Sequence, residues 1–252
     1  MYKRQHLFTV RGKPRGFCRL GAESADAPSV LVWGDSHVRA WYPALDAAFR
    51  NAGVSAYAIA MAGCPIAFGM ARVGPDTRGC KKASAAIRAE LEAGAFQKVL
   101  IVASWFGVLR SKNTVYAGVR SFDDKTRRYN VTRAIADTGD ALRELGISSA
   151  FLVTVPGATK AVPEATFREN LIGYYPEIRR TKEEYQTLMG PVRSTAEKHY
   201  DQVISFESAL CESGWCKVTD GGKPLYFDSN HPSLHLNEIM LPHFEKLLSQ
   251  FL

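Results

Sequence analysis

Short, unbroken apolar runs alternate along this chain with longer stretches in which apolar residues recur every three or four positions. The short runs, Val30–Trp33, Val54–Ala60, Val99–Ala103, Ser148–Val155 and Gln202–Phe206, are predicted strands. The longer stretches predict helices over about 36–51, 81–93, 132–145 and 181–200, and from Ser233 to the end. In the first of them Val38, Trp41, Tyr42, Leu45, Ala48 and Phe49 share a face and Gly53 ends the pattern. Pro43 should kink or delay that helix, and Pro242 the last one. Val99–Ala103 is apolar throughout, as suits a strand covered on both sides. This alternation implies right-handed βαβ units. The fold class is α/β, a three-layer α/β/α sandwich around a five-stranded parallel sheet.

Residues 1–27 carry no clear period and are expected to be an irregular lead-in, with one domain over 28–252. Residues 104–129 and 156–180 read as long excursions from strand ends, where α/β folds place function. At 252 residues with 46% hydrophobic content, the chain can bury a full core. Its longest apolar run, Val99 to Leu109, falls well short of the roughly 20 residues of a membrane helix. The first ten residues lack the apolar centre of a signal peptide. A net charge of +7 suits anionic partners, although a solvated basic surface accounts for it as simply. The basic residues are scattered and lack nucleic-acid motifs, so no nucleic acid is expected.

Five cysteines carry more information. Cys211 and Cys216 flank a glycine-containing loop, and Cys64 and Cys80 bracket a Pro/Gly-rich segment. The spacing favours disulfides Cys64–Cys80 and Cys211–Cys216 and an oxidising compartment over five free thiols. Cys18 is left over, which leaves a partner upstream open. No zinc-type spacing is present, and neither a metal nor a cofactor is expected.

Candidate chemistry begins where the first strand stops, at Gly34-Asp35-Ser36-His37. A serine there faces a helix N-terminus, and either caps that helix or acts as a nucleophile. Near the end, Asp228-x-x-His231 offers a carboxylate that can orient a histidine and leave its other nitrogen for the serine. His37 adjoins Ser36 and points away from it, which makes it a poor base. Trp105, after the third strand, is either a stacking platform for a sugar ring or an aromatic packed over the sheet edge.

These motifs, with Gly63-Cys64-Pro65 after the second strand and the ending Tyr226-x-Asp228-x-x-His231-x-Ser233, resemble the SGNH hydrolase/transferase superfamily. In particular they resemble the extracytoplasmic SGNH domains fused to membrane acyltransferase-3 proteins. The resemblance spans Val30 to Leu252 and implies a flavodoxin-like sheet. It implies Ser36 as nucleophile, His231 as base, Asp228 as its orienter, and oxyanion donation from the backbone N–H groups of Ser36 and Gly63. Asp35, His37 and Trp105 are placed with the substrate-binding residues. Many SGNH enzymes add an asparagine after the third strand, but here Ala103-Ser104-Trp105-Phe106-Gly107 has none. A fully used oxyanion donor contributes about 10²–10³ in turnover, so another donor, or the acceptor and its loop, is expected to complete the site. The implied activity is O-acyl, foremost O-acetyl, transfer to a hydroxyl of a cell-surface or secreted glycan. The implied acyl donor comes from a membrane acyltransferase domain upstream, with the chain periplasmic and tethered to the inner membrane. Hydrolysis with water as acceptor is the alternative, and a catalytically idle glycan-binding domain a third.

Overall fold

The computed structural model describes residues 4–10, 13–23, 29–173 and 177–252. In chain order its elements begin with β1 (Arg4–Val10), β2 (Lys13–Gly21), β3 (Val30–Gly34), α1 (Ser36–Ala40), α2 (Tyr42–Asn51) and β4 (Ser55–Ala60). They continue with β5 (Met70–Arg72), α3 (Cys80–Glu92), β6 (Lys98–Val102), α4 (Trp105–Arg110), β7 (Thr114–Tyr116), β8 (Val119–Arg120) and α5 (Asp124–Glu144). Then come β9 (Ser148–Leu152), α6 (Val162–Ile172), α7 (Lys182–His199), β10 (Gln202–Ile204) and α8 (Glu207–Leu210). Two small hairpins, β11 (Cys211–Glu212) with β12 (Trp215–Cys216) and β13 (Thr219–Asp220) with β14 (Lys223–Pro224), precede α9 (Leu234–Phe251).

The main sheet runs β1-β2-β4-β3-β6-β9-β10. From β4 to β10 every pairing is parallel, in the doubly wound order with β3 between β4 and β6. That is the five-stranded parallel sheet expected from the alternation. The expectation for 13–21 is corrected: these residues form β2, which pairs antiparallel with β4 and, on its other side, with β1. Charged residues at Lys13, Arg15 and Arg19 hide the strand from an apolar-run reading.

Alternate residues of each strand feed two cores, because successive side chains point to opposite faces. Leu31, Trp33, Val99, Ile101 and Phe151 pack with α3, α5 and α7, through Ile87, Ile135 and Val192 among others. Val30, Val32, Leu100, Val102 and Leu152 pack with α2 and α9, through Leu45, Phe49, Met240 and Phe244. Such burial stabilises by roughly 25 cal/mol per Å² of apolar surface, so both sheet faces resist displacement and the strand ends are held firmly.

Local chemistry accounts for the remaining differences. The helix expected over 36–51 is divided at Trp41, and Pro43 sits in the first turn of α2, where its missing N–H costs nothing. α5 starts well before the expected residue 132, because the Asp123 carboxylate accepts the Thr126 N–H at 2.7 Å and caps a polar first turn. α6 lies in a segment expected to be irregular. Its Phe167, Leu171 and Ile172 are exposed, so no apolar face signals the helix. α9 continues through Pro242.

Candidate active site

Ser36 stands at the C-terminal edge of β3, and Gly34 is what permits it. A Cβ on Gly34 would lie 1.8 Å from the Val102 carbonyl oxygen and 2.4 Å from Val38 Cγ2. Only glycine lets β3 pass this close to β6 before the chain turns into α1. Asp35 secures the turn: one carboxylate oxygen accepts the His37 N–H and the other the Ser104 N–H, both at 2.8 Å. Strand ends β3 and β6 are thereby tied to each other. Asp35, expected among the substrate-binding residues, borders the pocket beside Ser36 but is buried, with each oxygen accepting a backbone amide.

The histidine arrives from the opposite end of the sequence. Asp228 Oδ1 accepts the N–H groups of Asn230 and His231, each at 2.8 Å, folding 228–231 into a tight turn. The Phe227 N–H donates to the His231 carbonyl at 3.0 Å and closes that turn. Asp228 Oδ2 then lies 2.6 Å from His231 Nδ1, and His231 Nε2 lies 2.7 Å from Ser36 Oγ. Partial burial pushes the Asp228 carboxyl upward. The two backbone bonds, the bond from His231 and its charge outweigh that and hold it below the usual carboxylate range. The His231 ring has two ring neighbours, Phe227 stacked at 5.2 Å and His37 tilted at 4.7 Å.

Trp105 does not stand where its expected substrate-binding role needs it, and His37 stands at the edge of the site. His37 borders the pocket, but its ring is only 2% exposed and packs on His231; its Nδ1 is 3.4 Å from Asp35 Oδ1 without hydrogen-bond geometry. Trp105 is 0% exposed and stacks on Phe151 at 5.0 Å, so it is a core aromatic and offers no face to a sugar.

A pocket of about 200 Å³ opens beside Ser36, lined by Gly63, Arg72, Ser104, Gly107, Asn230 and His231 among others. Among the described residues, neither the Ser36 nor the Gly63 N–H donates to a protein acceptor. Gly63 adopts φ +71°, a conformation natural to glycine. Its carbonyl accepts Arg72 Nε at 2.6 Å, and the Ala62 carbonyl, in the same peptide unit as the Gly63 N–H, accepts Arg78 Nη1 at 3.4 Å. Burial and the neighbouring Arg78 lower the Arg72 pKa from its usual value. The disulfide Cys64–Cys80 anchors the next residue to the start of α3, and Cys211–Cys216 closes the β11–β12 hairpin; Cys18 is free. Ser104 Oγ accepts the Gly107 N–H at 3.3 Å at the head of α4.

Arg72 and Asn237 escaped the sequence reading, and Ser104 was placed at a strand end without a chemical role. Asn237 sits on the apolar face of α9 between Leu236 and Met240, and a polar residue at such a position was the available signal. Its side chain accepts the Ala44 N–H at 3.0 Å and donates to the Ala40 and Ser233 carbonyls, each at 2.8 Å. Arg72 lies in a segment without periodicity and carried no such mark.

A comparison with the curated proteins found no match. Among solved structures, the chain is similar to the periplasmic domain of a lipopolysaccharide acetyltransferase from Salmonella ser. Paratyphi A. The TM-score is 0.62 at 17% identity, covering 88% of this chain and 81% of that one. It is also similar to a GDSL-like lipase from Bacteroides thetaiotaomicron, with a TM-score of 0.52 at 13% identity over 92% of this chain and 93% of that one. Both likenesses concern the fold. The family model for the SGNH domain fused to AT3 domains matches residues 3–246, and the chain belongs to that family.

Proposed function

We propose that this chain is an O-acyltransferase domain, foremost an O-acetyltransferase, acting on a hydroxyl of a cell-surface or secreted glycan. The observation that supports it is the unbroken series from Asp228 through His231 to Ser36, opening on a pocket bordered by two unpaired backbone N–H groups. In the first step His231 Nε2 takes the Ser36 proton while Oγ forms a bond to the acyl carbon. The carbonyl oxygen becomes an oxyanion facing the Ser36 and Gly63 N–H groups, and Ser104 Oγ–H is assigned as the third donor, in the region where other SGNH enzymes place asparagine. The oxyanion collapses, the donor's leaving group departs with the proton from His231, and an acyl-Ser36 ester remains. In the second step His231 deprotonates a sugar hydroxyl, which attacks the ester; Ser36 regains the proton and the acylated sugar leaves. The AT3 domain is assigned as the source of the acyl group, and the periplasm as the compartment, in keeping with the two disulfides.

Incubation with an activated acetyl ester, with and without oligosaccharide, tests this reading. Acetylated sugar is the expected product, and release of acetate alone at every acceptor concentration would assign an esterase. Ser36→Ala and His231→Ala should lower turnover by about 10⁴-fold or more, and Ser104→Ala by about 10²-fold through kcat. Full activity in Ser36→Ala or His231→Ala would overturn the mechanism.

A further inference from the structure

A second pocket, of about 170 Å³, lies next to the first, and Gly107 and Asn230 line both. Phe106, Arg110, Thr159 and Arg180 complete its distinctive wall. The guanidinium carbons of Arg110 and Arg180 lie 5.3 and 4.4 Å from the centre of the Phe106 ring. Two like charges thus converge on one aromatic side chain, close enough for Arg110, together with burial, to lower the Arg180 pKa.

Six helix arginines are neutralised within their own helices. Arg50, Arg88, Arg133, Arg143, Arg168 and Arg193 each pair with a carboxylate three or four residues away on their own helix. Among the described residues Arg110 and Arg180 have no such partner within 4.0 Å. Glu184 is the carboxylate that acts on Arg180, but its Oε2 accepts the Thr181 N–H in the cap of α7. Arg180 Nη2 donates to the Ala158 carbonyl at 3.1 Å, while its buried Nε has no acceptor and the buried Asn230 Oδ1 has no donor. Buried polar atoms left in this state cost free energy unless something binds them.

We propose that this pocket is the subsite for an anionic group, a carboxylate or phosphate, on the acceptor glycan. Arg110 and Arg180 take its oxygens, as guanidinium forks do for planar or tetrahedral anions, and Asn230 Oδ1 takes a neighbouring sugar hydroxyl. The proposal rests on the reading of Ser36 as the acyl carrier, since the shared wall at Gly107 and Asn230 places a sugar held here beside that serine.

Calorimetric titration of the 252-residue chain tests this without turnover. The probes are tri-galacturonate, its methyl ester and galactose 6-phosphate. Tri-galacturonate should bind at least about ten-fold tighter than its ester, and Arg110→Gln and Arg180→Gln should each remove about ten-fold of that affinity. Galactose 6-phosphate binding more tightly than tri-galacturonate would identify the anion as phosphate, with the same arginine dependence. Arg180→Lys, which keeps the charge and loses the fork, should fall in between and serves where the glutamine variant does not fold. Arg128→Gln, exposed on α5, should leave binding unchanged. Equal affinity for acid and ester, or an equal loss in Arg128→Gln, would overturn the proposal. If Ser36 proves inert to acetyl esters while the acid preference persists, the transferase reading fails and the subsite stands.

Discussion

Asp228 serves three groups with two oxygens, and this sets how the site responds to acid. Its Oδ1 holds the two amides that shape the turn, and its Oδ2 meets His231 Nδ1. Because these bonds favour the charged form, the folded-state pKa lies below the unfolded one. A depressed carboxylate contributes stability that is fully present above the unfolded pKa, near 3.9, and is lost as pH falls through the folded value. The stability difference between the native chain and Asp228→Asn should therefore be constant from pH 7 to about 5 and shrink towards pH 3. Denaturant titrations across that range check it; a difference that stays flat to pH 3 would show that the carboxylate's charge is not what holds the turn. At this same scale Gly34 explains why the serine follows glycine and aspartate. Glycine admits the close pass against β6, and Asp35 ties β3 to Ser104.

Between the elements, one side chain aligns the two halves of the site. Asn237, on α9 just beyond the His231 turn, satisfies the Ala44 N–H in the first turn of α2 and the Ala40 carbonyl at the end of α1, the helix that begins at Ser36. A buried amide with three bonds is costly to delete, so Asn237→Ala should destabilise the chain by roughly 2–4 kcal/mol. Thermal melts measure that loss, and in surviving folded protein kcat should fall more than KM changes, because the proposed nucleophile Ser36 and base His231 drift apart. An unaltered Tm would remove Asn237 from this role. Much of the surrounding fold was legible as sequence: β3, β6 and β9 are runs buried on both sides, and α2, α3 and α7 show one apolar face. The pairing of Asp228 with His231 was legible too, because short-range spacing sets that turn, whereas the meeting of His231 with Ser36, 195 residues away, was implied by the family resemblance rather than by spacing. Trp105 was misread, since a tryptophan just after a strand end has the same signature whether it points to solvent or, as here, on to Phe151. Arg110 and Arg180 meet at Phe106 only through tertiary packing, and no local pattern announces that meeting.

For the whole molecule, the loop carrying Gly63 is the part of the site least supported by the parallel sheet. Asp35, Ser36 and Ser104 sit on the ends of β3 and β6, in the middle of two cores. Gly63 instead follows β4 and leads into a long excursion whose one strand, β5, joins the small sheet β5-β7-β8. The Met61 N–H donates to the Gly34 carbonyl at 2.8 Å, and three side-chain ties brace the loop further: Arg72 on the Gly63 carbonyl, Arg78 on the Ala62 carbonyl, and Cys64–Cys80 to α3. The disulfide is the covalent one, and with a sequence separation of 16 a bridge of this kind stabilises by roughly 3 kcal/mol. Its removal in Cys64→Ser/Cys80→Ser should lower the Tm by several degrees and also lower kcat on an activated ester, since the oxyanion donor proposed at Gly63 then loses its covalent brace. Cys211–Cys216 closes a much shorter loop, at a separation of 5 and away from the residues that line the Ser36 pocket. Opening it should cost less stability and leave kcat where it was. Comparing the two double-serine variants by melting curve and by ester turnover separates general stabilisation from support of the oxyanion peptide. Equal losses of kcat in both would place the effect in global stability rather than in the Gly63 loop.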